Sequence, residues 1–411
     1  MIKSFRESLA LLATRRFGTF WFASLLSSIG TWAQQVAEPW LLLTLGASPF
    51  LIGVDSFATD APVWLLTLVG GLLADRRDRR RVITLFQSIQ MLCPATIVIL
   101  IITGRIRPWL VIGLSAIVGV TDALSMPSFQ SIVPSIVEHE QIDRGLALNS
   151  TQFNLSRILG PSIAGVLMSS VGAIACFVVS AVSYLPFIGV ALWILPRRVP
   201  SSQTESTGAL HPFAGVGDIL SRPQLRGALL TVLATSMLCS PLVTFTPILV
   251  KEILHGDAGR FSAAVASFGL GGLLGATGLL GVSSEVDRRR LSSGFALAYG
   301  VVLVAVAVTR SFWALPPLLV MAGASMTISN TSANTILQTT AGTRHLGRTV
   351  SLYMLAVRGG SSIGALLTGI EISVVGVQRA LLFNGFAAVV AQAFIARTWL
   401  LSVPMTSDVL E

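Results

Sequence analysis

The sequence predicts an all-α membrane protein with twelve transmembrane helices, arranged as two six-helix bundles related by a pseudo-two-fold axis. Composition, the spacing of apolar runs and an internal repeat each point to it. Of 411 residues, 53% are hydrophobic and only 11% are charged, with a mean hydropathy of +0.77. A water-soluble domain carries about 25% charged residues, so a soluble enzyme of this length is excluded. Too much apolar surface with too little charge also excludes a disordered chain. The net charge of +9 is compatible in principle with nucleic acid. The arginines, however, cluster between apolar runs, and Lys3 and Lys251 are the only lysines, so no nucleic-acid partner is expected. Cys93, Cys176 and Cys239 each fall inside an apolar run and read as small buried hydrophobes, with no metal site and no cofactor. The first long apolar run begins at Phe17 and no small-residue cleavage site follows it, so no cleavable signal is expected.

A membrane helix needs about 20 mostly apolar residues. Charge-free windows meet this at Phe17–Ala37, Val82–Gly104, Gly227–Val250, Phe261–Ser284 and Leu291–Thr309. Ile158–Pro196 is long enough to finish one span and supply another, with a tight turn expected near Val171-Gly172, and Ser311–Thr343 holds one more. The remaining spans carry isolated charges: 50–74 with Asp55 and Asp60, 109–133 with Asp122, 144–170 with Arg157, and 348–371 with Arg358. The last span is 380–398.

Basic residues orient such a chain, because they are retained in cytoplasmic loops. With the N-terminus inside, the inner segments hold Arg15, Arg16, the run Arg76–Arg81, Arg288–Arg290 and most other arginines. The outer ones hold only Arg105, Arg107, Lys251, Arg260, Arg310 and Arg379. Both termini are therefore expected in the cytoplasm. Six spans precede the single long polar stretch, which divides the chain into an N-terminal bundle (1–196), a cytoplasmic linker (197–222) and a C-terminal bundle (223–411). The halves repeat: Asp78 with Arg79-Arg80-Arg81 follows span 2, and Asp287 with Arg288-Arg289-Arg290 follows span 8. Gly160-Pro161-Ser162-Ile163 in span 5 is echoed by Gly360-Ser361-Ser362-Ile363 in span 11. A parallel repeat of this kind puts a substrate site at the midplane between the halves.

These residues resemble the major facilitator superfamily. Gly71-Leu72-Leu73-Ala74-Asp75-Arg76-Arg77-Asp78-Arg79-Arg80-Arg81 is similar to its loop 2–3 signature, G-x-L-A-D-R-x-G-R-R, with Asp78 where glycine is usual. Met126-Pro127, Pro134, Asn149-Ser150, Asn154-Leu155, Arg157 and Gly160-Pro161 through Gly165 resemble the bacterial drug:proton antiporter group that includes macrolide exporters and the enterobactin exporter. Gly347-Arg348 and Ser351-Leu352-Tyr353-Met354 are similar to the same group. The resemblance spans nearly the whole chain. It implies a proton-coupled antiporter in a bacterial inner membrane that acts as a monomer and exports a small amphipathic compound, a drug or a siderophore-like metabolite. A lysophospholipid flippase or a uniporter of the same fold are the alternatives. An intramembrane enzyme would need a nucleophile–base pair or clustered metal ligands within the membrane, which the isolated acids and loop histidines do not supply.

Candidate residues follow from charge and depth. Charges at the bilayer centre cost about 2.5–3.5 kcal/mol each on insertion scales, so they face a cavity or a partner. At 1.5 Å per residue, Asp122 lies about 20 Å into span 4 and Arg157 about 18 Å into span 5. An Asp122–Arg157 pair is expected, either with Asp122 taking up the proton or as a permanent ion pair that fixes helix packing. Glu38 and Asp60 read as an outer proton relay, as exposed groups at the outer mouth, or, for Glu38, as an attractor of cationic substrates. Arg358, about 14 Å into span 11, would with Arg157 favour an anionic or catechol-like substrate. Spans 1, 4, 7 and 10 line the cavity by family resemblance, which implies substrate contacts from Trp32, Gln34, Gln35, Met126, Phe129, Met237, Asn330, Asn334 and Gln338. Asn330 and Asn334 are equally readable as interhelical hydrogen-bond partners. Asp75, Arg76 and Arg79 are the expected inner gate, where the arginines also serve topology. Gly160 and Pro161 resemble the antiporter motif that seals one side of the cavity. Gly271 and Gly275 read as helix packing.

Overall fold

The computed structural model describes residues 10–194, 216–283, 286–340, 349 and 351–401. It contains twelve long helical runs: α1 (Arg15–Thr44), α2 (Pro49–Arg76), α3 (Arg79–Ile102), α4 (Pro108–Ile136), α5 (Ile142–Ser170) and α6 (Ala173–Trp193) in the first half. In the second half, α7 is a composite of Pro223–Leu238, Pro241–Ile248 and a π turn at Leu249–Ile253. It is followed by α8 (Ala258–Leu280), α9 (Arg288–Val308) and α10 (Leu315–Thr340). Then come α11, a π turn at Leu355–Gly359 running into Gly360–Val375, and α12 (Val377–Leu401). The expected linker falls largely outside the described residues; its last part forms a short helix, Val216–Ser221.

Eight described helices are long and apolar enough to cross a bilayer on composition alone. The remaining helices α1, α2, α5 and α11 carry Glu38, Asp55 with Asp60, Arg157 and Arg358. Of these, α2 packs on α11 and α5 packs on α8 across the seam between the bundles. Their seam faces meet protein rather than lipid.

The repeat read from sequence is a repeat of contacts. Gly160 of α5 sits against Trp32 of α1, and Gly360 of α11 sits against Leu233 and Ser236 of α7, the equivalent helix of the other half. Gly70 and Gly119 bring α2 and α4 together, while Gly271, Gly275 and Gly323 do the same for α8 and α10. At such points a side chain would meet neighbouring backbone, so small residues let the helices approach. The tight turns also correspond: Gly172 between α5 and α6 has φ 99°, and Gly376 between α11 and α12 has φ 83°. These are backbone conformations that glycine adopts without strain. Asp78, the departure from the signature glycine, caps α3 by accepting from the Arg80 N–H at 3.0 Å. Asp287 caps α9 in the same way, accepting from the Arg289 N–H at 2.9 Å.

The apolar core shows which end of the molecule is shut. At the end opposite Asp78 and Asp287, one cluster runs through both bundles, from Ala33, Val36 and Trp40 of α1 to Leu242 and Phe245 of α7 and Phe261 of α8. Trp40 stacks on Phe261 there, with ring centroids 5.1 Å apart. Toward the arginine-rich end the core divides. Phe17, Phe20, Ile132 and Phe187 form a cluster within the first bundle, and Leu225, Val232, Ile336 and Trp399 form one within the second. The seam is therefore closed at the far end, while at the arginine-rich end each bundle keeps a core of its own.

Two outcomes are expected. Gly53 of α2 would place a Cβ 2.6 Å from the Ala365 carbonyl oxygen of α11, so Gly53→Leu should part the far end, at an overpacking cost of about 1–3 kcal/mol. In purified protein, a Met168→Cys reporter on α5, buried at 2% exposure, should then react with a polar maleimide that does not label the reporter alone. The native thiols are buried and give little background. At Asp287, partial burial pushes the carboxyl up, but hydrogen bonds from the Arg289 side chain and backbone, together with the Arg289 and Arg290 charges, outweigh it and hold the group below its usual value. Its cap therefore stabilises above the ordinary carboxylate range and is lost as pH falls through the depressed value. Asp287→Ala should cost about 1 kcal/mol near neutral pH, and thermal unfolding in detergent should show that deficit shrinking in acid.

Candidate functional site

The site is centred on one cation. Arg358 lies in the π turn of α11, an element that is rare and concentrates at functional sites because its extra residue redirects the side chains around it. Its guanidinium Nη1 donates to Asp122 Oδ2 on α4 at 3.0 Å and to Asp60 Oδ1 on α2 at 3.3 Å. The cation comes from the second bundle and both carboxylates come from the first. All three side chains are half-buried, at 23% for Arg358, 25% for Asp60 and 34% for Asp122. The triad therefore bridges the seam at mid-depth while keeping some access to the cavity.

An Asp122–Arg157 pair was expected; in the structure Asp122 is met by Arg358, and the Arg157 side chain lies outside those described. The basis for an anionic substrate changes with it, since Arg358 is already met by two carboxylates. Asp60, expected in an outer relay with Glu38, is instead a ligand of Arg358.

A second polar layer lies nearer the closed end. Glu38 of α1 and Asp55 of α2 are buried at 5% and 3% exposure. Each is six residues from the loop joining the two helices, which places both about 9 Å in at 1.5 Å per residue. Gln34 Nε2 donates to Glu38 Oε1 at 2.8 Å, and Ser180 of α6 donates to Gln34 Oε1 at 2.8 Å, so the amide is held in one orientation. Gln34 thus serves the bundle interior rather than presenting a free amide to a substrate. Asp55 was read from sequence only as an isolated span charge. Its neighbour became visible only once α1 and α2 were packed together.

The other expected residues divide by surroundings. Trp32 packs edge-on to Phe153, centroids 6.2 Å apart, and under Gly160. Phe129 stacks on Phe187 at 5.1 Å and lies 5.4 Å from Phe20, within the core of the first bundle. Gln35, Met126 and Met237 are half-buried, and the Met237 backbone forms the seat of Gly364. Asn330 is buried and accepts from Thr235 of α7 at 3.5 Å, which is the interhelical role. Asn334 accepts from the exposed Gln338 one turn along at 3.2 Å. Pro161 is buried beside Gly160, and Arg79 opens α3. The side chains of Asp75 and Arg76 lie outside those described; their backbone ends α2. No group of three or more metal-ligating side chains occurs among the described residues.

Comparison with known proteins fits this architecture. A family profile described as transmembrane secretion effector matches residues 6–408. The staphyloferrin A transporter of Staphylococcus aureus is 23% identical over 375 residues, covering 90% of this chain and 93% of that protein. The multidrug efflux pump Tap of Mycolicibacterium fortuitum is 25% identical, covering 85% and 87%. Macrolide efflux protein A of Streptococcus pyogenes is 21% identical, covering 90% and 92%. Among solved structures, a bacterial homologue of the human lysosomal transporter Spinster, inward-facing and unoccupied, superposes with a TM-score of 0.71 at 15% identity, covering 95% of this chain and 98% of that one. The nucleoside transporter NupG superposes with a TM-score of 0.71 at 12% identity, covering 94% and 99%. With a match over nearly its full length, a twelve-helix fold shared with these carriers and an ion triad across its bundle seam, the chain is a multi-pass membrane transporter belonging to the transmembrane secretion effector family of the major facilitator superfamily.

Proposed function

We propose that the chain is a proton-coupled antiporter of the bacterial inner membrane, exporting a small amphipathic organic compound by alternating access, with both termini in the cytoplasm. The observation that carries this reading is the bridge from Arg358 to Asp60 and Asp122 across the seam. A charge pair at about 4 Å is worth about 4 kcal/mol at an effective dielectric near 20, before desolvation is counted. Conformations of a protein commonly differ by a few kcal/mol. Protonating either aspartate removes one of the two charge attractions that cross the seam at this level, so proton uptake and seam opening are coupled through one guanidinium.

A substrate competes for the same groups. A cationic amphiphile would draw a carboxylate from Arg358, and an anionic one would draw Arg358 from the carboxylates. The relatives bear names of both a macrolide efflux protein and a staphyloferrin A transporter, so both ligand classes are candidates. With the arginine-rich end taken as cytoplasmic, the divided core at that end is an inward-open cavity and the merged core is a closed outer gate. Asp75, Arg76 and Arg79 would then close the inner side when the gate alternates, and the boundaries 1–196, 197–222 and 223–411 delimit the moving bodies. The working unit is the monomer in its lipid bilayer.

In inverted vesicles with an imposed pH gradient, erythromycin or staphyloferrin A should evoke proton release from the wild type. That release should be lost in Asp122→Asn and restored in Asp122→Glu. Substrate movement without proton flux would identify a uniporter or flippase instead. The triad should also appear as coupling energy. In thermal unfolding, Arg358→Gln with Asp122→Asn should be less destabilising than the sum of the singles by about 0.5–3 kcal/mol, because the double variant removes both members of the pair. Additive effects would show that the bridge does not hold the seam.

A further inference from the structure

We propose that Glu38 and Asp55 form a paired-carboxyl site that binds one exchangeable proton, separate from the Arg358 triad and nearer the closed end of the seam. The proposal rests on the proton-coupled reading above and deepens it by naming a second proton site, with a residue, Asp55, that sequence reasoning left without a role.

Position is the first support. The two carboxyls come from adjacent helices at the same depth, and the Asp55 charge acts on Glu38. Ser115 of α4 lies within reach of both, while its hydroxyl donates to the Val111 carbonyl at 3.0 Å. Neutralisation is the second. Among the described residues, neither acid has an ion-pair partner. The titratable side chains facing Glu38 among the described residues are Asp55 from α2, Cys93 from α3 and Tyr184 from α6. Helix α4 offers Ser115, the facing part of α7 is apolar, and α5 also packs on α1, with its Arg157 side chain outside those described. Two like charges buried at one level on neighbouring helices, within electrostatic reach and without a described cation, do not both stay ionised. The third support is an unused atom: Asp55 Oδ1 is buried with no hydrogen-bond partner. A hydroxyl on the neighbouring carboxyl would supply the missing donor. Glu38 Oε1 already accepts from Gln34, and the fixed amide keeps a donor on that side, so the first contact is consistent with a carboxyl that alternates between acid and anion.

The site is placed for transport. It lies behind the merged core that shuts the far end, and opening that end would uncover it to the outer solution. Tyr184, whose hydroxyl is 2.9 Å from Thr31 Oγ1, feels the charges of both Glu38 and Asp122. Tyr184 on α6 thus lies between the pair and the triad, within electrostatic reach of both. In each cycle one O–H bond forms on the pair as a proton leaves the outer water, and the same proton returns to water on the cytoplasmic side.

Infrared difference spectroscopy of the purified full-length protein tests the pair without any substrate. Near neutral pH, the carbonyl band of a protonated carboxyl should be present and should shift in deuterated water. It should shift in Asp55→Asn and in Glu38→Gln, since burial without a cation keeps the remaining carboxyl protonated beside an amide. It should be lost in the double variant and persist unchanged in Asp60→Asn. Glu38→Asp serves if Glu38→Gln does not fold; it should keep the band at a changed position. Dicyclohexylcarbodiimide, which adds to protonated carboxyls in apolar surroundings, should label Glu38 or Asp55, with the adduct located by mass spectrometry. Proton-driven erythromycin transport in vesicles should be lost in both substituted proteins. Absence of the band, or a band untouched by either substitution, overturns the pair. A band that behaves as stated in a protein whose transport ignores the proton gradient upholds the shared proton and overturns the coupled function instead. A missing band with transport driven by a sodium gradient overturns the proton as the ligand.

Discussion

Arg358 is the constraint around which the seam is arranged. A guanidinium held within a membrane span must be met by counter-charge or water, and here it is met by Asp122 and Asp60 of the opposite bundle. Neither half can neutralise its own membrane charges through this contact alone: the second half brings the cation and the first brings the acids. The π turn at Leu355–Gly359 is part of the same arrangement, since it sets the direction of the arginine before the regular helix resumes at Gly360.

Around that charge the two halves are alike in packing and unlike in polarity. Gly160 and Gly360 seat equivalent helix pairs, and Gly172 and Gly376 make equivalent turns. The polar interior does not repeat. The first bundle holds the chain Ser180–Gln34–Glu38 and, separately, the pair Thr31–Tyr184. The second offers neutral bridges such as Asn384 to Thr368 and Gln392 to the Thr231 carbonyl. The shared scaffold thus carries three acids, Glu38, Asp55 and Asp60, on α1 and α2, with Asp122 on α4, against Glu371 on α11.

The sequence made the fold legible because membrane helices announce themselves by length and apolarity, and because the loop arginines repeat. Turn positions such as Gly172 and packing glycines such as Gly271 and Gly275 were readable for the same reason: their chemistry is local. Rise along span 4 predicted a level for Asp122 but not its contact with Arg358, because rise leaves the direction around the helix open. Arg157 and Arg358 sit at similar levels in equivalent helices, and only the packing of α2, α4 and α11 distinguishes them. Asp55 stayed unassigned for a related reason: a buried carboxyl takes its meaning from its neighbours, and those lie on α1 and α4.

The ion triad joins residues 236 and 298 positions apart in the chain. Asp60 and Asp122 are therefore synthesised, and their helices inserted, long before the arginine that neutralises them exists. Until α11 enters the membrane, the first bundle holds two acids in need of water, a proton or a chaperoning insertion site, and a glycine-lined face with nothing against it. The charges that the first bundle carries at the seam are thus balanced only by the penultimate helix, near the end of synthesis.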